Sequence, residues 1–286
     1  MNFLLTAILQ GIAFSGLALG IYLSLRIFRV PDITTDGSYT LGGIITAVLL
    51  TLNWHPLLVL PLCMLGGWAS GWTTGYVHTK FKVHPLLAGI LVMTALYSIN
   101  LLLLGRPNLP LLSTPNIFHA PGAVGTNTGY LIVLVTFGTA LITTLGYILK
   151  TDFGIAMRAT GENEIMAGAL GIHTDRMKRN GLAMANCLTA ISGYLMVQYQ
   201  GFADINMGIG IVISGMAAVI IGESLSLSKS GILSSLIIVV AGSILFRLIL
   251  AAALSAGLDP AYLKLVTSLF VLAVVALNSK TTRKTV

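Results

Sequence analysis

Long apolar runs separated by short polar loops dominate the chain. A helix needs about 20 apolar residues to cross a bilayer, whereas a strand of a membrane barrel shows about ten residues of alternating polarity. The runs here are continuous and do not alternate. The pattern predicts an all-α polytopic membrane protein, a single domain over 1–286, with about eight or nine membrane segments. The candidate segments are Phe3–Leu25, Ser38–Leu52, Leu57–Val77, Pro85–Leu104, Gly129–Leu149, Asn180–Tyr199, Gly208–Ile221, Gly231–Ala253 and Ala261–Leu277.

Two of these segments are short and rich in glycine, and each follows a polar stretch that contains aspartate. They are Ser38–Leu52 in the N-terminal half and Gly208–Ile221 in the C-terminal half. Short, glycine-interrupted segments at matching places in two halves are typical of internal repeats whose broken helices surround a transport path. The residues predicted to line that path are Asp32, Asp36, Ser38, Asp204 and Asn206. The alternative is that they lie in interfacial turns, where Asp36, Ser38 or Asp204 caps a helix.

The basic residues are distributed unevenly over the loops. Of the sixteen Lys and Arg residues, those in alternate loops are Arg26, Arg29, Lys80, Lys82, Lys150, Arg158, Arg176, Lys178, Arg179, Lys229, Lys280, Arg283 and Lys284. Basic loops stay on the cytoplasmic side of a membrane. This asymmetry predicts nine crossings with a cytoplasmic C-terminus, and it accounts for the net charge of +7 without nucleic acid.

Three polar residues interrupt the long apolar runs. Asn100 lies within Pro85–Leu104, which predicts a hydrogen bond between helices. Arg247 and Lys264 lie near the outer ends of the last two segments. Their long side chains are expected to reach back to the membrane surface and leave the charge in water.

Composition supports a membrane location and excludes most catalytic chemistry. Only 9% of the residues are charged, against roughly 25% in soluble domains. Cys63 and Cys187 both lie in apolar runs, and the five histidines show no metal-binding spacing. No phosphate-binding GxxxxGK[ST] motif is present. We therefore predict no catalytic residue, no metal and no cofactor in this chain, so a transport path formed by it needs an energy source elsewhere.

The segment 150–179 carries the densest charge and is predicted to be the largest cytoplasmic loop. Within it, the sequence GENEIMAGALGI predicts a short helix that begins at Gly161, has acidic residues in its first turn and ends at Gly171. Ile165, Ala169 and Ile172 share one face of that helix, with Met166 and Leu170 on the next. An ordinary connecting loop does not need this apolar stripe, so the helix is a candidate docking site for another protein.

Three stretches resemble the membrane permease subunits of bacterial ATP-binding cassette (ABC) importers for branched-chain amino acids. The stretches are GIAMRATGENEIMAGALGI (Gly154–Ile172), DGSYTLGGIITAV (Asp36–Val48) and GIGIVISGMAAVIIGESLSLSKSGILSSLI (Gly208–Ile237). The first resembles the family's coupling segment and is the most specific of the three. The chain is compact, and it looks closer to a smaller subfamily of uncharacterised permeases, some of them associated with aromatic amino acids.

The resemblance implies a type II-like importer fold with two related halves in the inner membrane of a bacterium. It implies two cytoplasmic ATPase subunits that use ATP, an extracytoplasmic solute-binding protein and a second permease copy, which we expect to form a homodimer in the lipid bilayer. The solute is expected to be an amino acid or a related small molecule. By the same resemblance, the residues in contact with the ATPase are Glu162, Glu164, Ala167, Leu170 and Gly171.

Two other readings remain open from the residues alone. A secondary transporter with inverted repeats would work without ATP and would require an ionisable site at mid-membrane, for which the sequence offers only Asp32, Asp36 and Asp204 near segment ends. A membrane-embedded assembly subunit would explain the hydrophobicity but not the two broken segments. The secondary transporter predicts activity without ATPase subunits, whereas the assembly subunit would have no transport path of its own.

Overall fold

The computed structural model describes residues 3–111, 114–119, 127–225, 231–257, 259, 262 and 265–273. Almost all of them are helical. The helices are α1 (Phe3–Ala13), α2 (Ser15–Tyr22), α3 (Thr34–Thr51), α4 (Pro56–Phe81), α5 (Pro85–Leu104), α6 (Asn127–Lys150), α7 (Asp152–Glu162), α8 (Glu164–Ala169), α9 (Thr174–Gln200), α10 (Ile211–Leu225) and α11 (Ile232–Ser255). A π-helical stretch, Leu23–Ile27, extends α2, and residues 265–273 are also helical.

Within the described residues, four helices are long and apolar enough to cross a membrane: α4, α5, α6 and α11. The pair Phe3–Ala13 and Ser15–Ile27 passes the same criteria as one span with a 41° bend. The shorter α10 is apolar as well. The chain is therefore an all-α membrane protein. Of the predicted segment Ala261–Leu277, only 262 and 265–273 lie within the described residues, and Lys264 lies outside them.

The bend between α1 and α2 has a specific cause. The Ser192 hydroxyl of α9 donates to the Ala13 carbonyl at 2.9 Å and accepts from the Leu17 amide at 2.7 Å. In a straight helix these two backbone groups would bond to each other. A side chain inserted into the helical ladder bends the helix, and here it also joins α9 to the bend.

Helices α3 and α9 lie at the centre of the bundle, where small residues allow close packing. A Cβ atom on Gly42 of α3 would overlap the carbonyl of Ala190 in α9. A Cβ on Gly71 of α4 would overlap the carbonyl of Leu182, which also lies in α9. Membrane helices associate largely through such close contacts, because lipid supplies no hydrophobic driving force between them. Because close packing of small residues, and not apolar side chains, holds the central helices together, these helices can be more polar than those around them.

A short antiparallel pair of strands joins the two loops on the side opposite the basic loops. β1 (Asn108–Pro110) follows α5, and β2 (Phe202–Asp204) follows α9. Asn108 pairs with Asp204 and Pro110 with Phe202. After β2 the chain continues through turns to α10, which begins within the bundle beside α3.

Candidate functional site

The segment predicted to be cytoplasmic, 150–179, contains two short helices rather than the single one predicted. α7 extends through Gly161 to Glu162, and α8 begins at Glu164. Asn163 between them has an extended backbone, and its Oδ1 accepts from the Met166 amide at 3.0 Å. The predicted start at Gly161 was wrong, because Asn163 is the N-cap that the sequence reading missed. The predicted end is confirmed: Gly171 has a φ of 84°, the left-handed conformation that closes many helices.

One ion pair joins α8 to α9, and a second joins the end of α7 to Arg29. Glu162, at the end of α7, lies 2.6 Å from Arg29. Glu164, the first residue of α8, lies 2.6 Å from Lys178 in α9, and this hydrogen bond holds the pKa of its carboxyl below the usual range. Ala167 is buried on the inward side of α8. The first residue of α8 and the last residue of α7 are therefore each tied to another part of the protein.

The outward side of α8 is apolar. The exposed fractions are 87% for Ile165, 64% for Met166 and 73% for Leu170, the last lying just past the end of the helix. These residues belong to the most charged segment of the chain, between Arg158 and Arg176, and basic loops of this kind favour the cytoplasmic side of a membrane. We call this group the α8 tip. Apolar side chains exposed together in water mark a protein contact.

A second cluster of polar side chains lies buried where α3, α4 and α9 meet. Asn186 of α9 donates to Asp32 Oδ2 at 2.6 Å and accepts from the Ser38 hydroxyl at 2.6 Å. The Ser38 hydroxyl lies 2.7 Å from that of Ser70 in α4. Asp32 also accepts from the Thr34 amide at 2.9 Å. The hydroxyls of Thr34 and Thr74 lie 2.7 Å apart beside them. We call all these residues together the polar layer.

Asp36 of α3 lies outside the polar layer, and its carboxylate contacts the start of α10. Its two carboxylate oxygens accept from the backbone amides of Gly210 and Val212, each at 2.9 Å. A carboxylate is favoured there, because the first amides of a helix have no partner within it and carry partial positive charge. The alternative placed Asp36 or Ser38 in an interfacial turn as a helix N-cap. Both residues instead lie buried within α3, and the Asp36 carboxylate binds the first amides of α10.

The remaining two residues predicted to line the path lie elsewhere. Asp204 ends β2, and its carboxylate accepts from the amide of Asn206 at 2.7 Å and from the side chain of Asn108 at 3.4 Å. The structure thus brings Asp32 and Ser38 together, sets Asp36 at the start of α10, and leaves Asp204 and Asn206 in the loop after α9. Sequence reasoning missed Ser70, Thr74 and Asn186, whose only signal was polarity within otherwise apolar helices.

Two predictions about single residues had different outcomes. The Asn100 side chain donates to the Gly37 carbonyl of α3 at 3.3 Å, which confirms the predicted bond between helices. Arg247 does not reach toward the membrane surface as predicted. Its guanidinium carbon lies 3.6 Å from the centre of the Phe14 ring, which stacks in turn on Tyr39 at 5.7 Å. Attraction between a cation and an aromatic face strengthens when both are removed from water, and it explains this inward conformation.

Comparison with known proteins gives the functional context of these two clusters. A family model described as the permease component of the branched-chain amino acid transport system matches residues 3–276. The chain belongs to this family. The permease is 36% identical to a tyrosine transport system permease protein of Clostridioides difficile over 276 residues, which cover 96% of the chain and 91% of that protein.

Two other relatives extend the comparison. The permease is 32% identical to an uncharacterized protein of Rickettsia prowazekii, over 93% of the chain and 94% of that protein. It is 27% identical to a ribose import permease protein of Haemophilus influenzae, over 72% of the chain and 64% of that protein. No solved structure matches the chain. The protein is accordingly a permease subunit of an ABC importer and a multi-pass inner-membrane protein, and such permeases imply ATPase and binding-protein partners.

Proposed function

We propose that this permease passes an amino acid or a related small solute along a path beside α3 and α10, and that the α8 tip couples the path to a cytoplasmic ATPase. ATP is bound and hydrolysed by that partner, and the chain itself binds no cofactor. The observation that carries the coupling proposal is the α8 tip, with Ile165, Met166 and Leu170 exposed on a helix whose first residue is tied to α9.

The tip is suited to receive force from a partner. Burying one large apolar side chain contributes about 1.5–3 kcal/mol, so three of them form a substantial contact. The helix behind the tip is connected to two other parts of the protein. Lys178 connects it to α9, and Arg29 connects the end of α7 to the residues after α2. Gly161 packs so closely on the Ile27 carbonyl that a Cβ would overlap it. A displaced tip would therefore displace α9 and the end of α2.

We further propose that α1–α5 and α9–α11 with the helix at 265–273 are two related halves, giving eight or nine crossings over 1–286. A short local motif supports this. The chain reads Asp32-Ile33-Thr34 where α3 begins, and the Asp32 carboxylate accepts from the amide of Thr34, the first residue of α3, at 2.9 Å. Before α10 it reads Asp204-Ile205-Asn206, and the carboxylate accepts from the Asn206 amide at 2.7 Å. The same turn thus precedes the corresponding short helix of each half.

The path and its partners follow from this arrangement. α3 and α10 meet at Asp36, and α5 packs beside them through Gly37. The outer face of α5 is apolar and exposed, with Leu91 and Leu102 as examples. In our proposal a second copy of the permease covers this face, and the solute passes between the two copies. The tyrosine permease relative favours an amino acid as the solute.

Co-purification tests the coupling proposal. Leu170→Asp places a charge in the proposed apolar contact, and we expect the ATPase that accompanies the tagged wild-type permease in mild detergent to be lost. Ile155→Asp is the matched control, since Ile155 is also cytoplasmic and 51% exposed but lies on α7. We expect this control to retain the ATPase. If Leu170→Asp keeps both the ATPase and ATP-driven uptake, the α8 tip is not the coupling contact.

A further inference from the structure

A small cavity lies where α3, α5 and the turns before α10 meet. Its volume is about 20 Å³, and Asp36, Thr40, Tyr97, Asn100 and Gly208 are among the residues that line it. A space of this size holds about one water molecule. The polar layer does not line it, since the lining residues come from the opposite face of α3 and from α5.

Asn100, which is among the residues that line this cavity, has an unsatisfied acceptor. The residue is 1% exposed, and its amide nitrogen donates to the Gly37 carbonyl at 3.3 Å. The Gly37 carbonyl can only accept, so the amide nitrogen must face it and the oxygen must face away. That oxygen, Oδ1, has no hydrogen-bond partner in the structure. A buried polar group without a partner costs about 1–3 kcal/mol, so the cavity needs a donor.

Asp36 and Thr40 present further acceptors at the cavity, and the Tyr97 hydroxyl, which can donate or accept, also belongs to its lining. Asp36 accepts two backbone amides and keeps further lone pairs on its oxygens. The Thr40 hydroxyl donates its proton to the Asp36 carbonyl at 3.0 Å, which leaves only its lone pairs for a ligand. Among the described residues, no Lys or Arg forms an ion pair with Asp36. The cavity therefore presents a carboxylate and two neutral acceptors.

We propose that this cavity binds the protonated amine of the solute as it crosses the membrane, an inference that rests on the proposed function and deepens it. An ammonium group has three donors and no acceptor, which complements one carboxylate, one amide oxygen and one hydroxyl oxygen. Its head is close in size to the single water that the cavity can hold. Tyr97 is 45% exposed beside the cavity, and its ring offers a cation a favourable face. A carboxylate group of the solute would instead be repelled by the negative charge of Asp36.

Gly208 lets the turn before α10 pack directly against α3, which keeps the cavity small. A Cβ on Gly208 would overlap the Asp36 carbonyl and the Thr40 hydroxyl. The turn before α10 therefore rests directly on α3, and the amine-binding groups open to the path only when this turn moves. In this conformation the cavity is closed to a whole amino acid, as expected of a path that opens during the ATPase cycle.

Cysteine labelling tests the proposal without knowledge of the solute. Asn100→Cys is made in a Cys63→Ala, Cys187→Ala background, because these are the two native cysteines. The full complex with its ATPase is reconstituted in nanodiscs and labelled during ATP turnover with cationic 2-aminoethyl or anionic 2-sulfonatoethyl methanethiosulfonate. Thr51→Cys, at the exposed outer end of α3, supplies the intrinsic rate ratio of the two reagents. Asp36→Asn is then added to remove the charge.

We expect the cationic reagent to label Asn100→Cys faster than the anionic one by about tenfold relative to Thr51→Cys, since a cleft of one charge concentrates the opposite ion. Asp36→Asn should abolish the difference. Equal rates at Asn100→Cys would overturn amine binding. Labelling of Thr51→Cys without any labelling of Asn100→Cys would show that the cavity does not lie on the path. ATPase activity is measured in the same nanodiscs. If the proposed function fails, no ATPase is bound and no activity is seen; if only amine binding fails, the activity remains.

Discussion

Asp36 accepts a hydrogen bond at 2.9 Å from the amide of Gly210, a residue 174 positions further along the chain. The bond joins α3 in the N-terminal part of the chain to the start of α10 in the C-terminal part. The first amides of a helix need partners, and inside a membrane protein water does not supply them. A carboxylate from another helix supplies them here, so α10 can begin within the bundle beside the proposed path.

Removal of the Asp36 carboxylate should destabilise the protein. Asp36→Ala leaves the Gly210 and Val212 amides without partners, and we expect a loss of about 1–3 kcal/mol in the free energy of unfolding. SDS titration in mixed micelles measures it. Asp175→Ala is the control, because Asp175 is partly exposed and lies 3.9 Å from Lys82; an exposed pair contributes about 0–1 kcal/mol. Equal losses for the two variants would show that Asp36 does not support α10.

The polar layer offers a comparison of two adjacent threonines. Thr74 is 1% exposed and lies 2.7 Å from the Thr34 hydroxyl, whereas exposed Thr73 bonds only to the Ala69 carbonyl of its own helix at 2.8 Å. Valine has the shape of threonine without the hydroxyl. We expect Thr74→Val to lower the free energy of unfolding by about 1 kcal/mol and Thr73→Val to leave it nearly unchanged. Indistinguishable SDS midpoints would mean that the layer does not bind α4 to α3.

The bend between α1 and α2 should depend on the Ser192 hydroxyl. Without it, the Ala13 carbonyl and the Leu17 amide lose their shared partner, so Ser192→Ala should either destabilise the protein by about 1–2 kcal/mol or let the helix straighten. Distances between spin labels at the ends of α1 and α2 report the angle. Thr143→Ala, which removes an exposed hydroxyl bonded within α6, is the control. An unchanged angle and stability would assign the bend to another cause.

The attachment of α8 should weaken in acid. The hydrogen bond from Lys178 lowers the pKa of Glu164 in the folded protein. A lowered pKa means that the stabilisation is present above the unfolded pKa and is lost as the pH falls through the folded pKa. Because Glu164 is about half exposed, with 48% of its side chain accessible, we expect less than about 1 kcal/mol.

Hydrogen exchange of the α8 amides measures this effect. At neutral pH, Lys178→Met should exchange faster than wild type, and the difference should disappear below the lowered pKa of Glu164. Lys82→Met is the control, since Lys82 lies near Asp175 and not near Glu164. A difference between Lys178→Met and wild type that persists unchanged in acid would mean that the ion pair does not hold α8.

The sequence by itself determined the membrane class and the stop at Gly171, because these depend on consecutive residues: apolar runs and a glycine free to adopt positive φ. The cytoplasmic position of 150–179 stays a prediction from the basic loops. The sequence also indicated that the polar stretches before α3 and α10 are special. The two aspartates at these stretches make the same local turn.

Only the tertiary structure decided which groups the polar residues meet. Asp36 caps a helix far along the chain, Asn186 joins Asp32 to Ser38, and Arg247 lies on Phe14. Inside an apolar bundle a polar group must find a partner, but its identity depends on how distant helices pack. No local pattern carries that information, because the helices that supply the partner are brought close by glycine contacts elsewhere in the chain.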